Sequence, residues 1–271
     1  MISVLILTYN EESNIQDCLK NLTFSDDIIV LDSISSDQTE QLAKQRGVKF
    51  IQRLFDNYAS QRNYGLSLDF KYDWILMVDA DERIPACLKE EIRLVIQVKN
   101  NPISLYRIRR KDFFMNKWIK HSSGYPTWFG RLFKKGCVRV EREINEEYYT
   151  EGKVGFLKEH MDHYPFNKGL NYWFERHNKY SEMEAIKLKE ENLKALKMSN
   201  FFHKDPMVRR KVFKSFAYRL PLRPLLTFIF LYVFKLGILD GLPGFHYSVM
   251  RSFYEYQIEL KMKEIAFIEK T

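Results

Sequence analysis

At 271 residues, 45% of them hydrophobic, the chain is long enough for one large α/β domain, or a core domain with an appendage, and too apolar for a disordered or low-complexity protein. Its 43 Lys+Arg against 35 Asp+Glu leave a net charge of +8, which suits an anionic partner such as nucleotide phosphates, nucleic acid or an acidic membrane surface. Three widely spaced cysteines, Cys18, Cys87 and Cys137, provide neither a zinc spacing nor a disulfide framework, so a reducing compartment is expected.

The N-terminal MISVLILTYNEE has no basic start and turns polar early, which reads as a strand rather than a signal peptide. The first 110 residues then alternate. ISVLIL (2–7), DIIVLD (27–32), VKFIQR (48–53), DWILMV (73–78) and ISLYRIR (103–109) predict strands. EESNIQDCLKNL, DQTEQLAKQRG, ASQRNYGLSL and PACLKEEIRLVIQV predict the helices between them. Asp37 with Glu40 resembles a capping box, Gly47 suits a helix stop, and Pro85 suits a first helical turn. The alternation predicts a doubly wound, mostly parallel sheet.

Such sheets bind ligands beyond the carboxyl ends of their strands. Polar residues fall there: Thr8, Tyr9, Asn10 and Glu11 after the first strand, Asp32 and Ser33 after the second, and Asp79, Asp81 and Glu82 after the fourth. Three carboxylates within four residues repel one another and resist burial, so a cation is expected among them. A surface turn with an Asp–Arg83 salt bridge is the plainer reading. Neither G-x-G-x-x-G nor G-x-x-x-x-G-K-[ST] occurs, so a bound nucleotide needs something other than a glycine loop to neutralise its phosphates.

Residues 111 to 165 are aromatic, basic and less periodic, and KDFFMNKWIKHSSGYPTWFGRLFKKG suits an acceptor groove. Trp118, Trp128 and Trp173 suit either sugar stacking or core packing. In EHMDHY, His160 and His163 have the i, i+3 spacing that places two side chains on one helical face. A helical pattern resumes from 167 to 199. RLPLRPLLTFIFLYVFKLGILDGLPGF (219–245) holds ten residues, Leu225 to Phe234, that are apolar apart from Thr227. A bilayer span takes roughly 20 residues. Flanked by Arg209, Arg210, Lys211, Lys214, Arg219 and Arg223, the stretch suits an interfacial or shallow re-entrant element. A buried helix or a dimer contact is the alternative, and YSVMRSFYEYQIELKMKEIAF reads as an amphipathic helix able to lie beside it.

Three phrases, SVLILTYNEESNIQDCL, IIVLDSISSDQT and DWILMVDADERI, occur in this order and spacing. With them the chain resembles the family 2 glycosyltransferases, which adopt the GT-A fold. It looks most like the bacterial branch related to lipopolysaccharide-core β-glucosyltransferases, whose C-terminal region RLPLRPLLTFIFLYVFKLGILDG also resembles.

The resemblance implies an α/β GT-A catalytic domain, Rossmann-like with flanking helices, over residues 1–165, and a C-terminal helical region over 166–271 that associates with a membrane or oligomerises. It implies that Thr8, Tyr9, Asn10, Glu11 and Asp32 hold the nucleoside of a nucleotide-sugar donor, a UDP-sugar foremost, since Asp32 suits a uracil N–H. Asp79 and Asp81 match the D-x-D motif. Strand alternation predicts that both point into the crevice, where hard oxygen ligands favour Mg²⁺ or Mn²⁺, with His163 as a further metal or diphosphate contact. Arg62 is implied to meet phosphate, with a solvated side chain as the alternative, and Arg131 in WFGRLFKK stands where the family often carries a basic residue near the acceptor or diphosphate, with a surface strand charge as the alternative. Inversion requires a base, and the family supplies an acid after the D-x-D strand. Here REINEEYY carries Asn145-Glu146 where the branch often has His-Glu; Glu146 is the candidate, with Glu147 and Glu143 behind it. The implied acceptor is a lipid-linked or cell-envelope saccharide, at the cytoplasmic face of a bacterial membrane.

Two other classes compete. A nucleotidyltransferase usually carries a glycine-rich basic loop after its first strand, whereas TYNEES is acidic. A non-catalytic membrane or nucleic-acid binder would use the positive charge alone, but no recognised nucleic-acid motif appears and the basic residues are spread, so no nucleic-acid partner is expected. The C-terminal helices leave a homo-oligomer open.

Overall fold

The computed structural model describes residues 1–141, 147–192 and 222–269. Glu143 and Glu146 lie outside the described residues, as do Arg209, Arg210, Lys211, Lys214 and Arg219. The chain divides into two compact units, one of residues 1–113 and 125–167, the other of 114–124 and 168–271.

The first unit is built on β1 (Ser3–Thr8), α1 (Ile15–Asn21), β2 (Asp27–Asp32), α2 (Thr39–Lys44), β3 (Lys49–Gln52), α3 (Tyr58–Leu66), β4 (Trp74–Asp79), β5 (Glu82–Arg83), α4 (Ala86–Ile96) and β6 (Ile103–Phe114). A two-residue strand β7 (Lys117–Trp118) belongs to the other unit; β8 (Thr127–Lys134), β9 (Arg139–Glu141), β10 (Glu147–Tyr149) and β11 (Lys153–His163) complete the first. The main sheet runs in the order β3-β2-β1-β4-β8-β6-β11-β5. Strands β3, β2, β1 and β4 are mutually parallel. The sheet is therefore mixed rather than wholly parallel: β8 lies antiparallel to both β4 and β6, while β11 runs parallel to β6 and antiparallel to β5. The aromatic stretch from 111 to 165 supplies β8 and β11.

Both faces of the parallel half are buried, which is why its strands are almost continuously apolar. Alternate side chains enter opposite layers. Val4, Ile6, Val30, Leu76 and Val78 pack with Ile15, Cys18 and Leu19 of α1 and Leu88 and Ile92 of α4. Leu5, Ile29, Leu31, Ile75 and Met77 pack with Phe70 and Phe133, beside Leu66 of α3. The close approach of α3 needs Gly65, where a Cβ would come within 2.7 Å of the Leu5 side chain.

Local differences from the sequence expectations have physical causes. Asp37 does not form a capping box with Glu40. Its carboxylate accepts from Thr39 N at 3.0 Å and from Glu12 N at 3.1 Å, which ties the loop after β1 to the start of α2. EHMDHY is not helical but the end of β11, so His160 and His163, an odd number of residues apart on a strand, face opposite sides.

The second unit is helical. α5 (Gly169–Asn192) packs on α7 (Gly241–Ile268) through buried Ala185, Leu188 and Ile258. Trp173 is buried and stacks on His177 at 3.5 Å, a core role rather than a sugar platform. α6 (Arg223–Ile229) runs into a π-helical turn closed by Lys235 N–H donating to Phe230 O at 2.8 Å, then a 3₁₀ turn, Gly237–Asp240, leads into α7. Among the described residues no single helix is long and apolar enough to cross a membrane; the pair 223–234 and 237–268 meets that test only together, bent by 71°.

Candidate active site

The carboxyl ends of β1, β2 and β4 bring the polar residues to one edge of the sheet. Asp32 ends β2 opposite Thr8, whose hydroxyl donates to its Oδ1 at 2.8 Å. Ser35 N–H donates to Asp32 Oδ2 at 2.7 Å, and the Ser35 hydroxyl to Oδ1. Asp32 is fully buried and organises the loop that follows it. Its Oδ2 has one further neighbour, the exposed Gln52 amide at 3.5 Å, too long for a strong hydrogen bond. Asn10 takes a left-handed backbone (φ 52°), which asparagine tolerates because its side chain bonds locally; its Oδ1 accepts from Ser36 N at 2.8 Å. Glu11 accepts from the Asn14 amide at 2.8 Å, while its carbonyl starts α1 by accepting from Asn14 and Ile15. Tyr9 is exposed. Thr8, Asn10, Glu11 and Asp32 thus shape one double loop, with Tyr9 on its surface.

The carboxylates after β4 do not act as one cluster. β4 ends at Asp79 and Asp81 lies in the turn, so strand alternation stops before it and the two acids take different partners. Asp79 joins an arginine group: Arg131 donates to its Oδ2 at 2.5 Å, and Arg62 lies 3.7 Å from its Oδ1. Glu82, wholly buried, accepts from the same Arg131 at 2.8 Å and from Asp79 N–H at 3.0 Å. Arg131 comes from β8, whose antiparallel pairing with β4 carries it to this strand end. Burial pulls the Arg131 pKa down, yet Asp79 and Glu82 raise it well above the ordinary value. Burial alone would raise Asp79, but Arg131 and Arg62 outweigh it and hold its carboxyl below the usual range. For Glu82 burial wins, and its pKa is raised.

Arg62 is held in turn. Its Nε donates to the Tyr148 hydroxyl at 3.0 Å. Tyr148 stacks on Phe133 at 5.2 Å, and its strand β10 pairs with β9. Asn63 secures β9 by exchanging two 2.8 Å bonds with the backbone of Val140.

Asp81 faces His163, with Oδ2 3.3 Å from Nε2. The other ring nitrogen, Nδ1, lies 2.6 Å from Asp112 Oδ1, and Asp112 also accepts from Arg110 at 3.0 Å. Register explains the triad: His163 is the partner of Asp112 across β6–β11 and of Glu82 across β11–β5. Burial and Arg110 lower the His163 pKa, but Asp81 and Asp112 prevail and raise it to about 9.

These atoms fit a divalent cation. Among the described residues no three His, Cys, Asp or Glu side chains surround one point, yet Mg²⁺ and Mn²⁺ sites on phosphate substrates need only one or two protein ligands. Cis ligands about 2.1 Å from a metal stand roughly 3 Å apart, close to the Asp81–His163 separation, and a carboxylate on the far nitrogen is the usual support of a metal-bound imidazole. Of the three residues the resemblance assigns to the metal, the structure brings Asp81 and His163 together and places Asp79 with the arginines. Asp112 was missed as a site residue, and Glu82 was read as one of three acids around a cation rather than as a partner of Arg131. Glu82 was visible in DADER, but its arginine lies 49 residues away; Asp112 carries no local signal, since only the β6–β11 register brings it to His163.

Comparison with known proteins identifies the family and the fold. The family model described as Glycosyl transferase family 2 matches residues 3–164. An uncharacterized glycosyltransferase of Rickettsia felis is 28% identical over 212 residues, covering 74% of this chain and 73% of that protein. A lipopolysaccharide core biosynthesis glycosyltransferase of Rhizobium meliloti is 24% identical over 161 residues, covering 57% of this chain and 59% of its own length. Among solved structures, a mannosyltransferase of Pyrobaculum calidifontis in complex with GDP-Man and Mn²⁺ shares the fold at a TM-score of 0.54 and 11% identity, over 96% of this chain and 86% of that one. The chain belongs to glycosyl transferase family 2 and is a glycosyltransferase.

Proposed function

We propose that the protein is an inverting, divalent-metal-dependent glycosyltransferase that moves a sugar from a UDP-sugar to a hydroxyl of a lipid-linked or lipopolysaccharide-type saccharide. The observation that carries this reading is the Asp81–His163–Asp112 triad at the carboxyl end of β4. Asp81 and His163 would hold Mg²⁺ or Mn²⁺, and Asp112 would fix the imidazole with Nε2 toward it. The cation, when bound, neutralises the diphosphate leaving group. Arg131 and Arg62 add positive charge beside Asp79, which is left partly exposed and ionised. Asp32 reads a uracil N–H once the exposed Gln52 amide swings off its Oδ2. Glu146 accepts the proton of the acceptor hydroxyl as its oxygen attacks the anomeric carbon and the nucleoside diphosphate departs. It stands two positions before Tyr148, whose hydroxyl touches Arg62. The lipopolysaccharide core enzyme of Rhizobium meliloti supports the acceptor class.

Thermal unfolding tests the reading, with UDP, GDP, TDP, CMP and ATP each present with and without Mn²⁺. A ligand at 100 times its dissociation constant adds about 2.7 kcal/mol, or roughly 5–10 °C here. The expected result is a Mn²⁺-dependent shift with UDP that Asp81→Ala and His163→Ala abolish. A larger shift with GDP would overturn the donor assignment, and a flat panel would overturn the site.

A further inference from the structure

We infer that residues 223–245 of the helical unit form a wedge that enters one leaflet of an anionic bilayer, with the loop 114–124 as its cationic collar.

The wedge is polar at its base and apolar at its tip. Between Arg223 and Arg251 the sequence contains only two Asp, Glu, Lys or Arg residues, Lys235 and Asp240. At the base Arg223 is buried in an ion pair with Glu255, and Ser252 donates to Pro224 O at 2.6 Å. At the other end the chain turns through Leu236, in a left-handed conformation (φ 61°), and Gly237. Around this elbow Phe234 is 74% exposed and Leu242 71%, and Ile238 and Leu239 are exposed beside them. Aromatic contacts hold the two arms together behind the tip, with Phe245 against Phe228 at 5.9 Å and Tyr232 at 5.6 Å. Close packing at the elbow depends on Gly237 and Gly244, since a Cβ on Gly244 would stand 2.2 Å from Gly237 O.

Length fixes the depth. The arm 223–234 is twelve residues, about 18 Å at 1.5 Å per residue, against a hydrocarbon core of about 30 Å. Such an arm reaches through one leaflet and returns.

Charge selects the occupant. Asp240 is buried at the elbow and accepts from His121 N at 3.0 Å, Ser122 N at 2.8 Å and Ser122 Oγ at 2.8 Å. These bonds clip the loop 114–124 to the turn. That loop carries Lys117 and Lys120, both exposed, and no acid. A Cβ on Gly241 would lie 3.3 Å from Lys117 Nζ, and exposed Lys235 stands on the tip itself. The only acid of the elbow is thus internal, while its lysines face outward. A second copy meeting the tip about a two-fold axis would set the same lysine-bearing patch against itself, like charge facing like charge. Anionic headgroups would neutralise them while acyl chains cover Phe234, Ile238 and Leu242, as lysines and aromatic residues do at membrane interfaces.

The test is flotation of the full chain with vesicles of phosphatidylcholine alone or mixed in equal parts with phosphatidylglycerol. Wild type is expected to float with the mixed vesicles and far less with phosphatidylcholine. Phe234→Glu/Leu242→Glu should abolish flotation while the thermal unfolding curve is kept. Lys117→Ala/Lys120→Ala, two exposed changes that keep the test decisive if the tip variant fails to fold, should weaken partition roughly thirtyfold, about fivefold for each charge near an anionic surface. No flotation with either vesicle, equal flotation with both, or a dimer in solution that the tip variant converts to monomer would each overturn the proposal.

Discussion

Asp112 and His163 are partners across the parallel β6–β11 ladder, and their side chains meet at 2.6 Å on the far side of the imidazole from Asp81. With a carboxylate at each nitrogen, the metal-free ring holds its proton up to about pH 9.

Stability should therefore fall as pH rises. The folded pKa of about 9 exceeds the ordinary 6.5, so between these values the folded protein binds more protons than the unfolded chain. The contribution is complete below about 6.5 and gone above about 9, and amounts to about 3 kcal/mol at 1.36 kcal/mol per pKa unit. Urea unfolding with a chelator present, run from mildly acidic to alkaline pH, should show this loss in wild type and not in His163→Gln. Parallel profiles for the two proteins would refute the assignment.

Arg131 serves two acids at once, Asp79 and the buried Glu82. Arg131→Met leaves both without their shared counter-charge and should cost about 3–5 kcal/mol, the range for breaking a buried pair from one side. Arg131→Met/Glu82→Leu removes the stranded buried charge as well and should recover part of that loss. Equilibrium unfolding of the three proteins decides it: a double variant no more stable than Arg131→Met would mean that Glu82 is not the group left uncompensated.

The strand ends were legible in the sequence because each strand of the parallel half is an apolar run stopped by polar residues, and DIIVLD ends at Asp32 both in the reading and in the structure. What joins the strand ends was not legible. Asp79, Asp81 and Glu82 read as one repelling cluster in need of a cation, whereas two share Arg131 and the third faces His163. Those partners are brought in by the pairing of β8 with β4 and of β11 with β6, which joins residues distant in the chain. EHMDHY misled for a related reason: His160 and His163 fit a helical period, and only the pairing with β6 and β5 on either side decides that they form a strand.

Asp240 joins the collar loop to the elbow through three hydrogen bonds from His121 and Ser122. Asp240→Ala would strand two backbone N–H groups and should destabilise the helical unit by about 2–4 kcal/mol, given 1.5–3 for a hydrogen bond to a charged group and partial relaxation. Hydrogen exchange should quicken first at His121 and Ser122. Unchanged exchange at those two amides in the variant would show that the clip does not hold the loop.

Glu146 is the proposed base against two neighbours in the same acidic run, so the three glutamine variants must be compared. Removing a general base costs about 10²- to 10⁴-fold in rate. Glu146→Gln should lower kcat by that factor with little change in donor affinity, because the carboxylate acts on the acceptor proton and the nucleotide contacts are left intact. Glu143→Gln and Glu147→Gln should stay within a fewfold of wild type. Single-turnover sugar transfer, with Mn²⁺-dependent UDP binding measured on the same preparations, separates lost chemistry from lost donor binding. A large loss in Glu147→Gln with Glu146→Gln near wild type would move the base one residue along the chain, to the first position of β10, whose next residue, Tyr148, is bonded to Arg62.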